Sequence, residues 1–248
     1  MKGPVSRTCY SRCRRILLGL MAAFILLLLS WRAATHLNWN PRCEVGQEVD
    51  HLNNVTVFYN GGVGQTSGRN LAPDGYNLGI KYQCVEFVKR YYYEHLNHKM
   101  PDSYGHAKHF FNPTLADGAL NTKRELVQYT NASESKPRPD DLLVFGTSRL
   151  NRYGHVAIVS EVTDSDVEIV QQNPGPFGLS QERLLLLLEN GRWRFENSRV
   201  LGWLRKAPNP TVQRMEARRL VQLNLPILSG DYSPPRRDTG HFFPDTIF

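Results

Sequence analysis

Tyr82-Gln83-Cys84-Val85-Glu86-Phe87-Val88-Lys89-Arg90 is the stretch on which the reading of this chain turns. Val85, Val88, Tyr92 and Leu96 recur at helical spacing, with Phe87 and Tyr91 beside them, which predicts an amphipathic helix opening on Cys84. A thiol in a first helical turn faces the positive end of the macrodipole and backbone N–H groups that lack helical partners. Both favour thiolate over thiol, and the same N–H groups can donate to an oxyanion. Lys89 and Arg90 follow on the same helix and would add positive charge or touch substrate.

A second stretch, Tyr153-Gly154-His155-Val156-Ala157-Ile158-Val159, predicts a buried strand entered by a histidine. Thr163-Asp164-Ser165-Asp166 then predicts a turn, and Val167 to Gln172 the returning strand. In such a hairpin Gln171 and Asn173 share one face, and Gln172 takes the other. A nucleophilic cysteine needs a base, and that base needs an acceptor to orient it. Cys84 and His155 supply the first two parts; Gln171 and Asn173 are candidate acceptors on one face of the returning strand, with Gln83 as a supporting group and Glu168 on the less suitable face.

Working outward, Val55 to Tyr59 predicts a strand, and the Gly- and Asn-rich stretch 61–79 a long loop. Ala107-Lys108-His109-Phe110-Phe111 predicts a second short helix. Leu142 to Phe145, Leu184 to Leu188 and Val200 to Leu204 predict further strands. His106 and His109 lie three apart without a cysteine or acidic neighbour, so they read as surface rather than metal ligands. No metal and no cofactor is implied. The four cysteines, Cys9, Cys13, Cys43 and Cys84, form no disulfide framework. Cys9 and Cys13 lie beside an apolar run, where S-acylation is one reading and an incidental role the plainer one.

That run is Ile16 to Trp31, apolar apart from Ser30. Sixteen residues of helix rise about 24 Å, short for a bilayer but workable with flanking Trp31 and snorkelling arginines. Small residues are poorly placed for signal cleavage, so an uncleaved signal anchor is expected. Five bases precede it (Lys2, Arg7, Arg12, Arg14, Arg15), which would leave the N-terminus cytoplasmic and the rest periplasmic or extracellular. The formal charge of +7 sits mostly in that tail and in residues 205–248, and the middle is near neutral. A chain without a clustered basic face is not expected to bind nucleic acid.

Five ordered motifs now carry a family resemblance: Tyr82-Gln83-Cys84-Val85-Glu86-Phe87, Gly154-His155-Val156-Ala157-Ile158-Val159, Gln172-Asn173, Glu189-Asn190-Gly191 and Leu201-Gly202-Trp203. The chain resembles the CHAP domain family (cysteine, histidine-dependent amidohydrolases/peptidases), and within it the amidase domains of bifunctional glutathionylspermidine synthetase/amidases. The resemblance implies an α+β, papain-like fold, with N-terminal helices packed on an antiparallel sheet. It implies amide hydrolysis, with Cys84 as nucleophile and His155 as base and acid. The family places an acid where this chain has Gln171; an amide oxygen can fix the histidine tautomer but cannot balance an imidazolium. The expected organisation is a basic tail (1–15), a transmembrane anchor (16–31), a linker (32–53), the CHAP domain (54–206) and a Pro-rich tail (207–248) with a short helix near 212–223. The anchor points to peptidoglycan stem or cross-bridge amides as substrate. A thiol–polyamine conjugate such as glutathionylspermidine is the alternative, and a weakened wall-peptide-binding module a third reading.

Overall fold

The computed structural model describes residues 7–149 and 151–207. It opens with helix α1 (Arg7–His36), 30 residues and so about 45 Å long. Between Tyr10 and His36 this helix is long and apolar enough to cross a membrane. Leu17, Leu20, Phe24, Leu27 and Leu29 all stand exposed along it. A helix apolar on every side has no core of its own to face, which is the pattern of a segment solvated by lipid.

A hairpin of β1 (Glu48–Leu52) and β2 (Val55–Phe58) follows, turning through Asn53 and Asn54, both at positive φ. The stretch expected as irregular linker, 32–53, therefore begins in α1 and ends in a strand. The expected long loop 61–79 likewise contains a small ribbon, β3 (Arg69–Leu71) paired with β4 (Asn77–Ile80). Helix α2 (Cys84–Glu94) begins at the predicted residue. The predicted second helix is a single 3₁₀ turn, Ala107–Phe110.

The remaining strands are β5 (Ala119–Asn121), β6 (Leu126–Thr130), β7 (Leu142–Phe145), β8 (His155–Val162), β9 (Asp166–Val170), β10 (Gln181–Glu189), β11 (Arg192–Phe195) and β12 (Val200–Arg205). They form one antiparallel sheet in the order β11-β10-β9-β8-β7-β12-β6-β5. The last strand, β12, returns to the middle between β7 and β6. The sheet curls, since Trp193 N–H of β11 donates to the Ser133 carbonyl just beyond β6 at 2.7 Å.

Strand alternation divides the core in two. Leu142, Val144, Val156 and Ile158 face Phe87, Val88, Tyr91 and Tyr92 of α2. Leu143, Phe145, Ala157, Val159, Val167 and Ile169 face the concave side, closed by Leu184, Leu186, Phe195 and Trp203. The described residues form a mixed helix-and-sheet fold, with α2 laid across β8. The helix expected near 212–223 and the Pro-rich tail lie outside the described residues.

Candidate active site

Gln83, the residue before α2, has extended backbone (φ −84°, ψ 155°), and Tyr82 before it sits at φ +67°. The chain therefore turns sharply into the helix and delivers Cys84 as its first residue, buried in the core between α2 and the sheet. The N–H of Val156, second residue of β8, faces the Cys84 sulfur, together with the N–H groups of Val85 and Cys84 itself. This brings the thiol to the strand that starts with His155.

The electrostatics depart from the expectation of an activated thiol. Burial is the largest influence and pushes the Cys84 pKa up to about 11, against the lowering effect of those three N–H groups. His155 is pulled the other way. Burial lowers its pKa to about 4, the hydrogen bond to Gln171 opposes this, and the Arg199 charge adds to the lowering. At neutral pH the two groups are a neutral thiol and a neutral imidazole, not an ion pair.

The tautomer of His155 follows from its neighbours. Its Nε2 lies 2.8 Å from Gln171 Oε1. The Gln171 amide cannot be turned round, because its Nε2 faces two acceptors, the Leu179 carbonyl at 3.2 Å and the Glu182 carboxylate at 3.1 Å. The oxygen is left for the imidazole, so His155 carries its proton on Nε2, and Nδ1 holds the free lone pair. Glu182 is the residue that the sequence did not single out. A charged residue at the second position of β10 is visible, but its contact depends on the β9–β10 register, in which Gln171 N–H donates to the Ser180 carbonyl at 2.8 Å.

The opposite face of the same strand end is anchored to α2. Gln172 Nε2 donates to Glu86 Oε2 at 2.8 Å and to the Gln83 carbonyl at 3.0 Å, while its Oε1 accepts from Phe58 N–H at 2.8 Å. Gln83 is held by the Gln65 carbonyl at 2.5 Å and by Asn173 Nδ2 at 2.8 Å. Asn173 Nδ2 also donates to the Val63 carbonyl. Gln83, Gln172 and Asn173 thus tie the cysteine's helix to the strand carrying Gln171.

Lys89 and Arg90 sit elsewhere than expected. Both are buried: Lys89 Nζ donates to the Asn77 and Ser103 carbonyls, and burial lowers its pKa to about 8, with the Arg124 and Arg69 charges adding to the effect. Arg90 Nε lies 2.7 Å from Glu86 Oε1, and its Nη2 donates to the Thr56 carbonyl at 2.6 Å. Their charges are spent on holding the ribbon and β2 to α2, because the helix is covered on that side as well as by the sheet.

Beside Gln171 lies a cleft walled by Phe58, Tyr59, Asn60, Asn173, Pro174 and Ser180. Asn60 and Asn173 are buried, each commits its amide N–H groups to backbone or Gln83 acceptors, and each keeps an Oδ1 with no hydrogen-bond partner among the described residues. No group of metal-ligating side chains occurs among the described residues.

The CHAP domain family model matches residues 74–173. A trypanothione synthetase of Crithidia fasciculata is 36% identical over 108 residues, 43% of this chain and 16% of that protein. The glutathionylspermidine synthase of the same organism is 31% identical over 138 residues, 51% of this chain and 19% of that protein. The bifunctional glutathionylspermidine synthetase/amidase of Escherichia coli is 29% identical over 147 residues, 55% of this chain and 23% of that protein. The chain thus spans less than a quarter of the length of these relatives.

Proposed function

We propose that the chain is a membrane-held cysteine amidase acting through Cys84, His155 and Gln171, a reading supported by the match of residues 74–173 to the CHAP domain family. The observation that carries this reading is the locked Gln171–His155 pair at 2.8 Å, beside the Val156 N–H that faces the thiol. With Nε2 protonated, His155 Nδ1 takes the thiol proton as the sulfur attacks an amide carbonyl. The N–H groups at the start of α2 receive the oxyanion. Collapse breaks the C–N bond, and Nδ1–H protonates the departing amine, leaving a thioester on Cys84. Water then gives a proton to Nδ1 and attacks the thioester, releasing a carboxylic acid and the free thiol. Because Gln171 cannot balance an imidazolium by charge, proton transfer accompanies bond formation instead of preceding it.

The substrate proposed is an amide joining a peptide carboxyl to a polyamine, of the glutathionylspermidine class. The relatives' names support it. Peptidoglycan amides are the second reading, favoured by α1, which we place in a membrane with the remainder of the chain outside the cytoplasm. Liquid chromatography and mass spectrometry of glutathionylspermidine and of muropeptides after incubation with the full-length protein in detergent test both. Release of glutathione and spermidine supports the first reading, and muropeptide cleavage alone replaces it with the second. No cleavage of either, or equal cleavage by Cys84→Ala, removes the enzyme reading.

A further inference from the structure

The loop that follows the Gln171–Asn173 strand end is apolar and unusually exposed. Pro174-Gly175-Pro176-Phe177-Gly178-Leu179 contains no charged residue, and none occurs from Gln171 to Gln181. Phe177 is 70% exposed and Leu179 75%. Neither side chain contributes to either core cluster.

This loop is fastened to the end of α1. Asn40 Nδ2 donates to the Pro176 carbonyl at 3.0 Å, and Tyr59 OH lies within donating distance of both Asn38 Oδ1, at 2.7 Å, and that carbonyl, at 3.1 Å. The helix end itself is seated on the catalytic unit. Gly64 N–H donates to the Thr35 carbonyl at 2.8 Å, and a Cβ on Gly62 would come 2.5 Å from that oxygen. So the apolar helix does not hang from a free tether, and its end sets where the loop lies.

The loop is attached just past the end of the apolar run. The apolar run ends at Trp31, and from there to His36 the helix rises only about 7.5 Å, roughly the depth of one headgroup layer. Trp39 folds back toward the helix, its Nε1–H donating to the Ala33 carbonyl at 3.1 Å, as an interfacial tryptophan does. Leu37 and Trp39 are exposed beside it. Arg32 and Arg42 flank this turn, both exposed and in no ion pair among the described residues. Guanidinium groups there suit lipid phosphates.

We propose that the loop Pro174–Leu179 is a second membrane contact, with Phe177 and Leu179 lodged at the headgroup–acyl boundary of the leaflet from which α1 emerges. The inference rests on α1 spanning the membrane. It deepens the functional reading, because the Leu179 carbonyl and the Ser180 carbonyl both accept from Gln171. The residue that orients His155 is thus held by the segment that meets lipid, and the cleft beside it lies at the membrane surface. A substrate delivered along that surface enters without leaving it.

The test uses full-length protein in vesicles of phosphatidylcholine and phosphatidylglycerol, carrying p-benzoylphenylalanine at a single position. Phe177→p-benzoylphenylalanine is compared with Leu120→p-benzoylphenylalanine, an exposed site on β5 at one edge of the sheet. After illumination, mass spectrometry should find lipid adducts at position 177 in roughly tenfold excess over position 120, as burial of one site and hydration of the other require. Equal yields, or adducts at 177 to a second protein molecule instead of lipid, overturn the proposal. An alkaline carbonate wash separates the two failures. Protein retained in the vesicles but unlabelled at 177 removes the loop contact alone, and protein released into the wash removes the span on which it rests.

Discussion

Glu86→Gln tests the account of how the site is assembled. Three donors converge on the Glu86 carboxylate: Arg90 Nε at 2.7 Å and Asn70 Nδ2 at 2.8 Å on Oε1, and Gln172 Nε2 at 2.8 Å on Oε2. The group is 1% exposed. An amide of the same shape accepts at one oxygen only. If that oxygen keeps Arg90 and Asn70, its NH2 confronts the NH2 of Gln172. Gln172 cannot turn over without losing Phe58 N–H at 2.8 Å and the Gln83 carbonyl at 3.0 Å. Arg90 is also left with no carboxylate in a buried place, and removing one member of a buried pair costs about 3–5 kcal/mol. For a chain of this length that corresponds to a fall in melting temperature of roughly 6–20 °C. Thermal unfolding of the full-length protein in a mild detergent, followed by near-UV circular dichroism, reads it. Because Gln172 joins α2 to the strand carrying Gln171, kcat should fall along with stability at temperatures where the variant is still folded. A melting temperature within about 2 °C of wild type would refute the reasoning, since it would mean that the carboxylate is not the hub on which these donors depend.

Four other outcomes follow from the same geometry. With His155 depressed to about 4, the acid limb of kcat/KM should fall near pH 4, well below the ordinary imidazole value. The unfolded chain binds the extra proton between about pH 6.5 and 4, so stability should decline as pH falls through that window, by about 2 kcal/mol after discounting partial exposure, measured as urea midpoints at pH 7 and pH 4.5. Gly154→Ala should cost at least about 1 kcal/mol and lower kcat, because Gly154 sits at φ +78° and a Cβ would come 2.6 Å from the Phe145 carbonyl, pushing His155 out of place. Gln171→Glu puts a carboxylate 3.1 Å from Glu182, so the acid limb should move up by about one to three pH units only when Glu182→Gln accompanies it; an equal shift in the single variant would show that Glu182 does not hold position 171.

Much of the site was legible because its signals are local. Val88, Tyr91 and Tyr92 of the predicted pattern lie on the buried side of α2, which ends at Glu94 before Leu96, and His155 followed by an unbroken apolar run opens a strand buried on both sides. The alternation that separates Gln171 from Gln172 is a property of any strand, and the two side chains do point to opposite faces. What escaped reading was set by contacts distant in sequence. Lys89 and Arg90 read as charge or substrate contacts for the site, but the β3–β4 ribbon and β2 cover that side of the helix and take up both side chains. The ribbon itself hid in a Gly-rich stretch where short strands leave no period. The thiol's raised pKa reflects how deeply Cys84 is packed, which a helix-start motif does not encode. Glu182 required the pairing of β9 with β10.

The central claim is most directly tested by acid-quenching the protein within one turnover of glutathionylspermidine and mapping any acyl adduct by peptide mass spectrometry. The account predicts a glutathionyl thioester on the peptide containing residue 84, absent from Cys84→Ala and not formed by His155→Ala. An adduct on Cys43, or steady hydrolysis with no adduct and undiminished in Cys84→Ala, would contradict it.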